Sequence, residues 1–541
     1  MSGDGGLKPA RAGTAGEVRA VPGDADPEGE DRFGRLRPWC VGAGVVVVVA
    51  GVLLHLPELR MLGEGDGMPM DMRWTPVMVT GMVAVTAGVL LTMIGLFAGR
   101  PRPRASVPVV GHIEHGRTRP VYWVTCGVLI VALVIDTMKP LTIAFVLPGM
   151  ADEYGMSTSA VSILPVVALT GTTAGSVVWG VIGDRYGRRP ALVLATVLFI
   201  ATSVCGAMPS FAWNLVMCFT MGMSAGGMLP LVFTLLAEVA HRRHRGWMAV
   251  AIGAVGGLAG YLAASVAASQ LEPRYTWRAL WLIGLPTGLL LLAVLPLIPE
   301  SPLFLLRQGR RAAAERILGR FGARLTVRPY SPDLASPGLR ELLRSRTAVT
   351  LAIGLVGLSW GLVNFGFLGL LPAQLSEAGI SSTSASALVA RAALYSAPAL
   401  LVVVVLYAIW SSRGSLILFV TITAVALTGV VAWSIDDGGD ALLTGSVGLL
   451  VLTLAAVNAV LVPYSTEIYP TEFRARGASL AAASTKLGGV LGPVVMLGFL
   501  QVSTPGRPTL AVSAIVFGGL SLLAAALMLR YGRTPPSLPT R

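Results

Sequence analysis

Charge is scarce in this 541-residue chain: Asp, Glu, Lys and Arg make up 13% of it, against 54% hydrophobic residues. A soluble globule cannot be covered with so few charges. The mean hydropathy of +0.72 therefore leaves a polytopic membrane protein. Cysteine is scarce too, and Cys40, Cys126, Cys205 and Cys218 all lie in apolar stretches, so no disulfide framework is implied. The sequence shows no intramembrane histidine cluster, no paired catalytic carboxylates and no nucleophile elbow, which argues against an enzyme. It has no nucleotide-binding loop or soluble domain either, which argues against nucleotide-driven pumping, and no cofactor is implied. Lysine is the rarest charge. Of 41 basic residues only Lys8, Lys139 and Lys486 are lysine, and the last two fall inside apolar runs.

What is present is a series of apolar runs long enough to span, about 20 residues each. They fall near 37–56, 75–98, 121–147, 157–182, 190–207, 212–238, 246–269, 277–298, 347–372, 384–408, 415–434, 441–462, 478–501 and 508–530. Alternate loops are arginine-rich, as at Arg185, Arg188 and Arg189 or at Arg242, Arg243 and Arg245. The opposite set carries Asp152, Glu153, Glu272, Glu377, Asp436, Asp437 and Asp440. Arginine bias of this kind orients a membrane protein, so both termini are expected in the cytoplasm of a plasma-membrane protein. The net charge of +13 then reads as topology and contact with anionic lipid rather than nucleic-acid binding. Residues 1–36 are expected to be a disordered cytoplasmic tail, 37–120 a two-helix extension with a basic linker, and 531–541 a second tail. Loop 299–346 splits the remaining helices into 121–298 and 347–530, and its Arg310–Phe321 segment reads as an amphipathic helix on the membrane surface.

One loop organises the rest: Gly180, Asp184, Arg185, Gly187, Arg188 and Arg189 at fixed spacing between two spans. Gly180 is expected to allow close helix packing, Asp184 to cap or accept from arginine, and Gly187 to turn the chain. This spacing resembles the signature loop of the major facilitator superfamily. Further motifs narrow the resemblance: Gly222, Gly226, Gly227 and Pro230 followed by Glu238 and Arg245; Trp277-Arg278; Pro299-Glu300-Ser301-Pro302; and Glu467 through Glu472, Arg474 and Gly477. Together they look like the branch holding sugar porters, organic ion transporters, aromatic-acid symporters and niacin-type carriers, over residues 121–530. The resemblance implies an all-α fold of two six-helix bundles around a central site, here with two extra N-terminal helices. It places Asp184, Arg185, Arg188, Glu238, Arg245 and Glu300 at a cytoplasmic gate. Arg413, Glu467, Glu472 and Arg474 would occupy the equivalent places in the second half, where the loop has lost its Asp.

Ionisable groups inside a membrane mark function. Asp136 and Lys139 lie one turn apart and are expected to pair, with Pro140 interrupting their helix. Lys486, roughly 15 Å beyond Arg476 along its helix, is expected near the midplane without a fixed partner. Its setting resembles the place where organic-anion carriers hold a substrate-binding cation. In the aromatic-acid symporter pattern Asp136 matches the first acid. Lys139 replaces a second Asp and Cys218 an arginine, which puts the usual proton route in doubt. Trp360, Asn364, Tyr261, Asn458 and Arg391 are further candidate site residues, each of which could instead be interhelical glue or an interfacial anchor. The methionines Met61, Met68, Met70 and Met72 with His55 offer a weak copper(I) reading, and His112 with His115 read as a solvated turn; no metal site is expected. The leading expectation is a secondary active transporter of a small organic anion, an aromatic or other carboxylate, with proton coupling through Asp136. The alternatives are proton-driven efflux of a hydrophobic drug or metabolite, and a non-transporting sensor on the same fold.

Overall fold

The computed structural model describes residues 32–57, 74–98, 109–115, 119–239, 245–329, 344, 346–436, 439–469 and 474–533. Within them, fourteen helical spans are long and apolar enough to cross a membrane. A bilayer core offers backbone groups no hydrogen-bond partners, so uncharged runs of this length can cross it only as helices. The spans are α1 Leu36–Leu53, α2 Pro76–Phe97, α3 Pro120–Tyr154, α4 Thr158–Tyr186, α5 Arg188–Ala207, α6 Phe211–Leu236 and α7 Gly246–Tyr275. They continue as α8 Ala279–Leu297, α9 Thr347–Glu377, α10 Ser382–Ile409, α11 Ser412–Asp436, α12 Gly439–Ile468, α13 Gly477–Val502 and α14 Arg507–Tyr531. Spans α3–α8 and α9–α14 are two bundles of six, and α1 and α2 stand outside them. The expected 1–31 portion of the tail and Met61, Met68, Met70 and Met72 lie outside the described residues, while helix begins already at Arg32.

Glycine decides which helices touch. On α4 and α6, Gly171, Gly175, Gly222 and Gly226 each face a backbone carbonyl of the other helix so closely that a Cβ would stand within 2.2 Å of it. The glycine run on α7 has two faces. Gly256 and Gly260 press on Leu133 and Thr137 of α3, whereas Gly253 and Gly257 meet Ala459 and Ala455 of α12. One helix thereby packs on both halves. The extension repeats the device: Gly44 and Gly51 of α1 interlock with Gly81 and Gly88 of α2 at seven-residue spacing. Phe97, at the end of α2, stacks on Tyr186 at 4.4 Å, and Trp74 meets Trp213 at 5.2 Å. The hairpin is thus pinned to the first bundle at both ends.

Two expectations are corrected here. His112 and His115 lie in a strand, β1 Val109–His115, which pairs antiparallel with β2 Ala323–Pro329 of the loop between the bundles. The turn reading fails because the partner strand is over 200 residues away. The amphipathic helix exists as Arg311–Arg320, but its apolar face is not laid on lipid. Ala314 and Leu318 are buried, and Ile317 packs against the core of the first bundle.

Candidate functional site

The centre of the molecule holds the two intramembrane lysines in different settings. Lys139 does not pair with Asp136. Its Nζ donates to the Phe199 carbonyl at 2.6 Å and to Thr202 Oγ1 at 2.7 Å, and it lies 4.2 Å from the centre of the Phe199 ring. Those acceptors stand where α5 changes from α-helix to a 3-10 turn at Thr202, a helix end with free carbonyls and a partial negative charge. Lys139 therefore caps a helix. On its far side a Cβ at Gly284 would approach Nζ to 2.6 Å, so the space fits a compact ammonium. Cys205 and Cys218 are the other titratable groups acting on it.

Asp136 is 6% exposed, and its Oδ1 is buried without a hydrogen-bond partner among the described residues. The charged group acting on it is Lys486, on α13 of the other bundle, and the effect is mutual. The expected competition from Lys139 is absent. Pro140 does not interrupt the helix, which runs unbroken from Pro120 to Tyr154. The proline ring only removes the N–H that would have bonded the Asp136 carbonyl. Lys486 is half-buried and has no hydrogen bond of its own among the described residues. The outcome is an acid from one half and a base from the other, each incompletely satisfied.

The remaining candidates divide. Tyr261 is buried on α7 and its Oη has no partner among the described residues. Asn364 is buried within a π-helical turn, Leu362–Phe367, that widens α9. Asn458 is half-buried on α12, beside the alanines that meet α7. Trp360 is interhelical glue: its indole donates to the Leu454 carbonyl at 2.7 Å, inside its own bundle. Arg391 does not line the centre. It is exposed on the same face of α10 as Leu394, Tyr395, Val402 and Val405, an apolar face open to lipid. Sequence reasoning missed Phe365, because nothing in composition marks a π-turn.

The signature loop is built around one carboxylate. Glu300 accepts from the backbone N–H groups of Arg188 at 2.7 Å and Arg189 at 3.3 Å, the otherwise unsatisfied start of α5. Gly187 makes room for it: its φ is 109°, and a Cβ there would lie 2.5 Å from Glu300 Oε2. Asp184 pairs with Arg188 at 2.7 Å, while Arg185 is exposed. Buried Glu238 accepts from the Ser301 hydroxyl, and burial raises its carboxyl above the ordinary range against the opposing pull of Ser301 and Arg188. Gly180 is a correction: a side chain there would meet nothing within 4 Å, and close approach on this helix belongs to Gly171 and Gly175.

In the second half Glu467 accepts from Tyr407 and Ser412 hydroxyls, and Arg413 donates to the Leu529 carbonyl at the end of α14. Arg413 and Glu467 thus bond to different partners. Glu472 and the side chains of Arg245 and Arg474 lie outside the described residues. These partners all belong to their own half. At the opposite, acidic end the halves are joined directly. Thr158 of α4 donates to Glu377 of α9.

Known proteins resemble this chain over most of its length. It is 26% identical to a niacin transporter of Acinetobacter baylyi, covering 67% of this chain and 83% of the relative. It is 27% identical to a gallate transporter of Pseudomonas putida, covering 79% and 95%. The xylose transporter XylE from E. coli, solved in a partially occluded inward-open conformation, superposes with a TM-score of 0.62 at 17% identity, covering 78% of this chain and all of that one. The model of the family described as "Sugar (and other) transporter" matches residues 133–530. That match takes in both bundles, the signature loop and the Asp136–Lys486 centre, so this chain belongs to the sugar (and other) transporter family of the major facilitator superfamily.

Proposed function

We propose that the protein is a secondary active transporter of a small organic anion, an aromatic or other carboxylate, worked by alternating access. The supporting observation is that Asp136 of one half lies buried with its Oδ1 unpartnered, and that the charge acting on it is Lys486 of the other half, itself without a hydrogen bond among the described residues. A substrate carboxylate can replace Asp136 as the partner of Lys486. Asp136 then stands alone in an apolar surrounding, where an unpaired anion is costly and a proton relieves the cost. Substrate binding and proton uptake are linked in this way. Niacin and gallate, named for two relatives, are both aromatic carboxylates and fit this reading.

The halves are 121–298 and 347–530, joined by 299–346, with the extension and linker running from the helix start at Arg32 to 120 and tails at 1–31 and 531–541. The arginine-rich end is cytoplasmic, both termini lie on that side, and the membrane is the plasma membrane. At that end the Glu300-capped loop and the Glu467 cluster act as gates. Partly exposed ion pairs such as Asp184–Arg188 are weak enough to re-form in each cycle.

Uptake of a panel of labelled carboxylates, cations and sugars into proteoliposomes, with and without an imposed pH gradient, tests this. Carboxylates are expected to accumulate under an inward proton gradient, and Asp136→Asn to abolish the gradient-driven part. Transport of the cations or sugars in preference to every carboxylate would contradict the proposal, and equal accumulation by Asp136→Asn would remove Asp136 from coupling.

A further inference from the structure

We infer that Phe365, set beside Lys486 by the π-turn of α9, is the residue that selects a flat aromatic ring on the substrate; the inference rests on Lys486 receiving the carboxylate. In an α-helix the contact points against a neighbour recur every three or four residues. On α9 three glycines press on α13: Gly357 on Ser484, Gly361 four residues later on Gly488 and Gly489, and Gly366 five residues after that on Gly492. The π-turn Leu362–Phe367 takes up the extra residue. It leaves Phe365 half-buried at the junction of the two halves.

At that junction Phe365 has Gly489 of α13 on one side and Leu169 of α4 close by. A Cβ at Gly489 would stand 3.1 Å from Phe365 Cδ2 and 3.8 Å from Leu169 Cδ2. Glycine at 489 thus lets the edge of the ring lie directly on the α13 backbone. Lys486 lies three residues earlier on the same helix, about 4.5 Å along the axis. The ring of Phe365 is itself held edge-on by Trp360, with centroids 5.9 Å apart and planes at 90°, and Trp360 is tied to Leu454. A cation without a hydrogen bond of its own among the described residues, and a braced aromatic ring packed one turn further along α13, match a ligand with a carboxylate at one end and a flat ring at the other. Aromatic pairs add to simple area burial. A flat ring should therefore be favoured over a puckered ring of similar size by about threefold to tenfold.

Benzoate and cyclohexanecarboxylate carry the same charge and the same number of carbons, so their relative affinity isolates the ring. We would measure both by competition in purified, reconstituted wild-type protein, in Phe365→Leu, in Phe365→Tyr and in Lys486→Ala. Wild type and Phe365→Tyr are expected to prefer benzoate by about threefold to tenfold. Phe365→Leu is expected to bring the ratio near one while both compounds still bind. Gly489→Ala provides a second, independent variant should Phe365→Leu fold poorly: its Cβ pushes on the ring and is expected to lower the same ratio. A wild-type preference unchanged in Phe365→Leu, or unchanged in Gly489→Ala where the leucine variant does not fold, overturns the inference. If both compounds bind and depend on Lys486 while the ratio ignores Phe365, only the ring selection falls. If wild type binds neither, the carboxylate reading falls and takes this inference with it.

Discussion

Lys139 and Lys486 show how far one residue type can differ between two places in a bilayer. Lys139 spends its donors on the Phe199 carbonyl and Thr202 at a helix end, whereas Lys486 has only the charge of Asp136 to answer. Removing Lys139 takes a charged donor from the Phe199 carbonyl and from Thr202, which keep the bond between themselves; a hydrogen bond made by a charged group contributes about 1.5–3 kcal/mol. Lys139→Met should accordingly lower the thermal stability of the purified protein by that order. Lys139→Arg should not restore it, because Gly284 leaves no room for a guanidinium. Wild-type stability in Lys139→Met would show that the cap is dispensable. The rarity of lysine made both residues legible in the sequence. The partner of Lys139 was not legible, because it sits sixty positions away at a helix break that no periodicity marks. Arg391 misled for a related reason: charge alone does not say which face of a helix turns to lipid.

Among elements, loops were read better by type than by contact. The Gly187–Arg189 turn was recognisable from spacing, but Glu300 as the cap of α5 was not, since it comes from over a hundred residues later. Gly187→Ala tests that geometry, as it forces a side chain into a left-handed backbone and into Glu300 at once. The strain is on the order of 1–3 kcal/mol, and the thermal midpoint of the purified variant should fall accordingly; an unshifted midpoint would mean that the turn adapts freely. The β1–β2 pair and the π-turn of α9 were illegible for different reasons. A seven-residue strand in a basic linker looks like a loop until its partner is known. A π-turn is a response to packing, here of Gly361 and Gly366 on α13, which a single helix sequence does not record.

For the whole molecule the sequence carried the most. Composition, run length and arginine bias delivered the helical membrane fold and the count of twelve spans plus two. The relation between halves needed coordinates. It rests on α7, which packs on both bundles through separate glycine faces. Thr158–Glu377 adds to it at the acidic end, and at the centre the charges of Asp136 and Lys486 act on each other across the two bundles. If that pair is the carboxylate site, the most direct measurement is equilibrium binding of benzoate to purified Lys486→Ala beside wild type, with thermal stability recorded for both. Loss of a charge-assisted bond of about 1.5–3 kcal/mol predicts roughly tenfold to hundredfold weaker binding with the fold intact. Unchanged affinity in a well-folded Lys486→Ala protein would contradict the account.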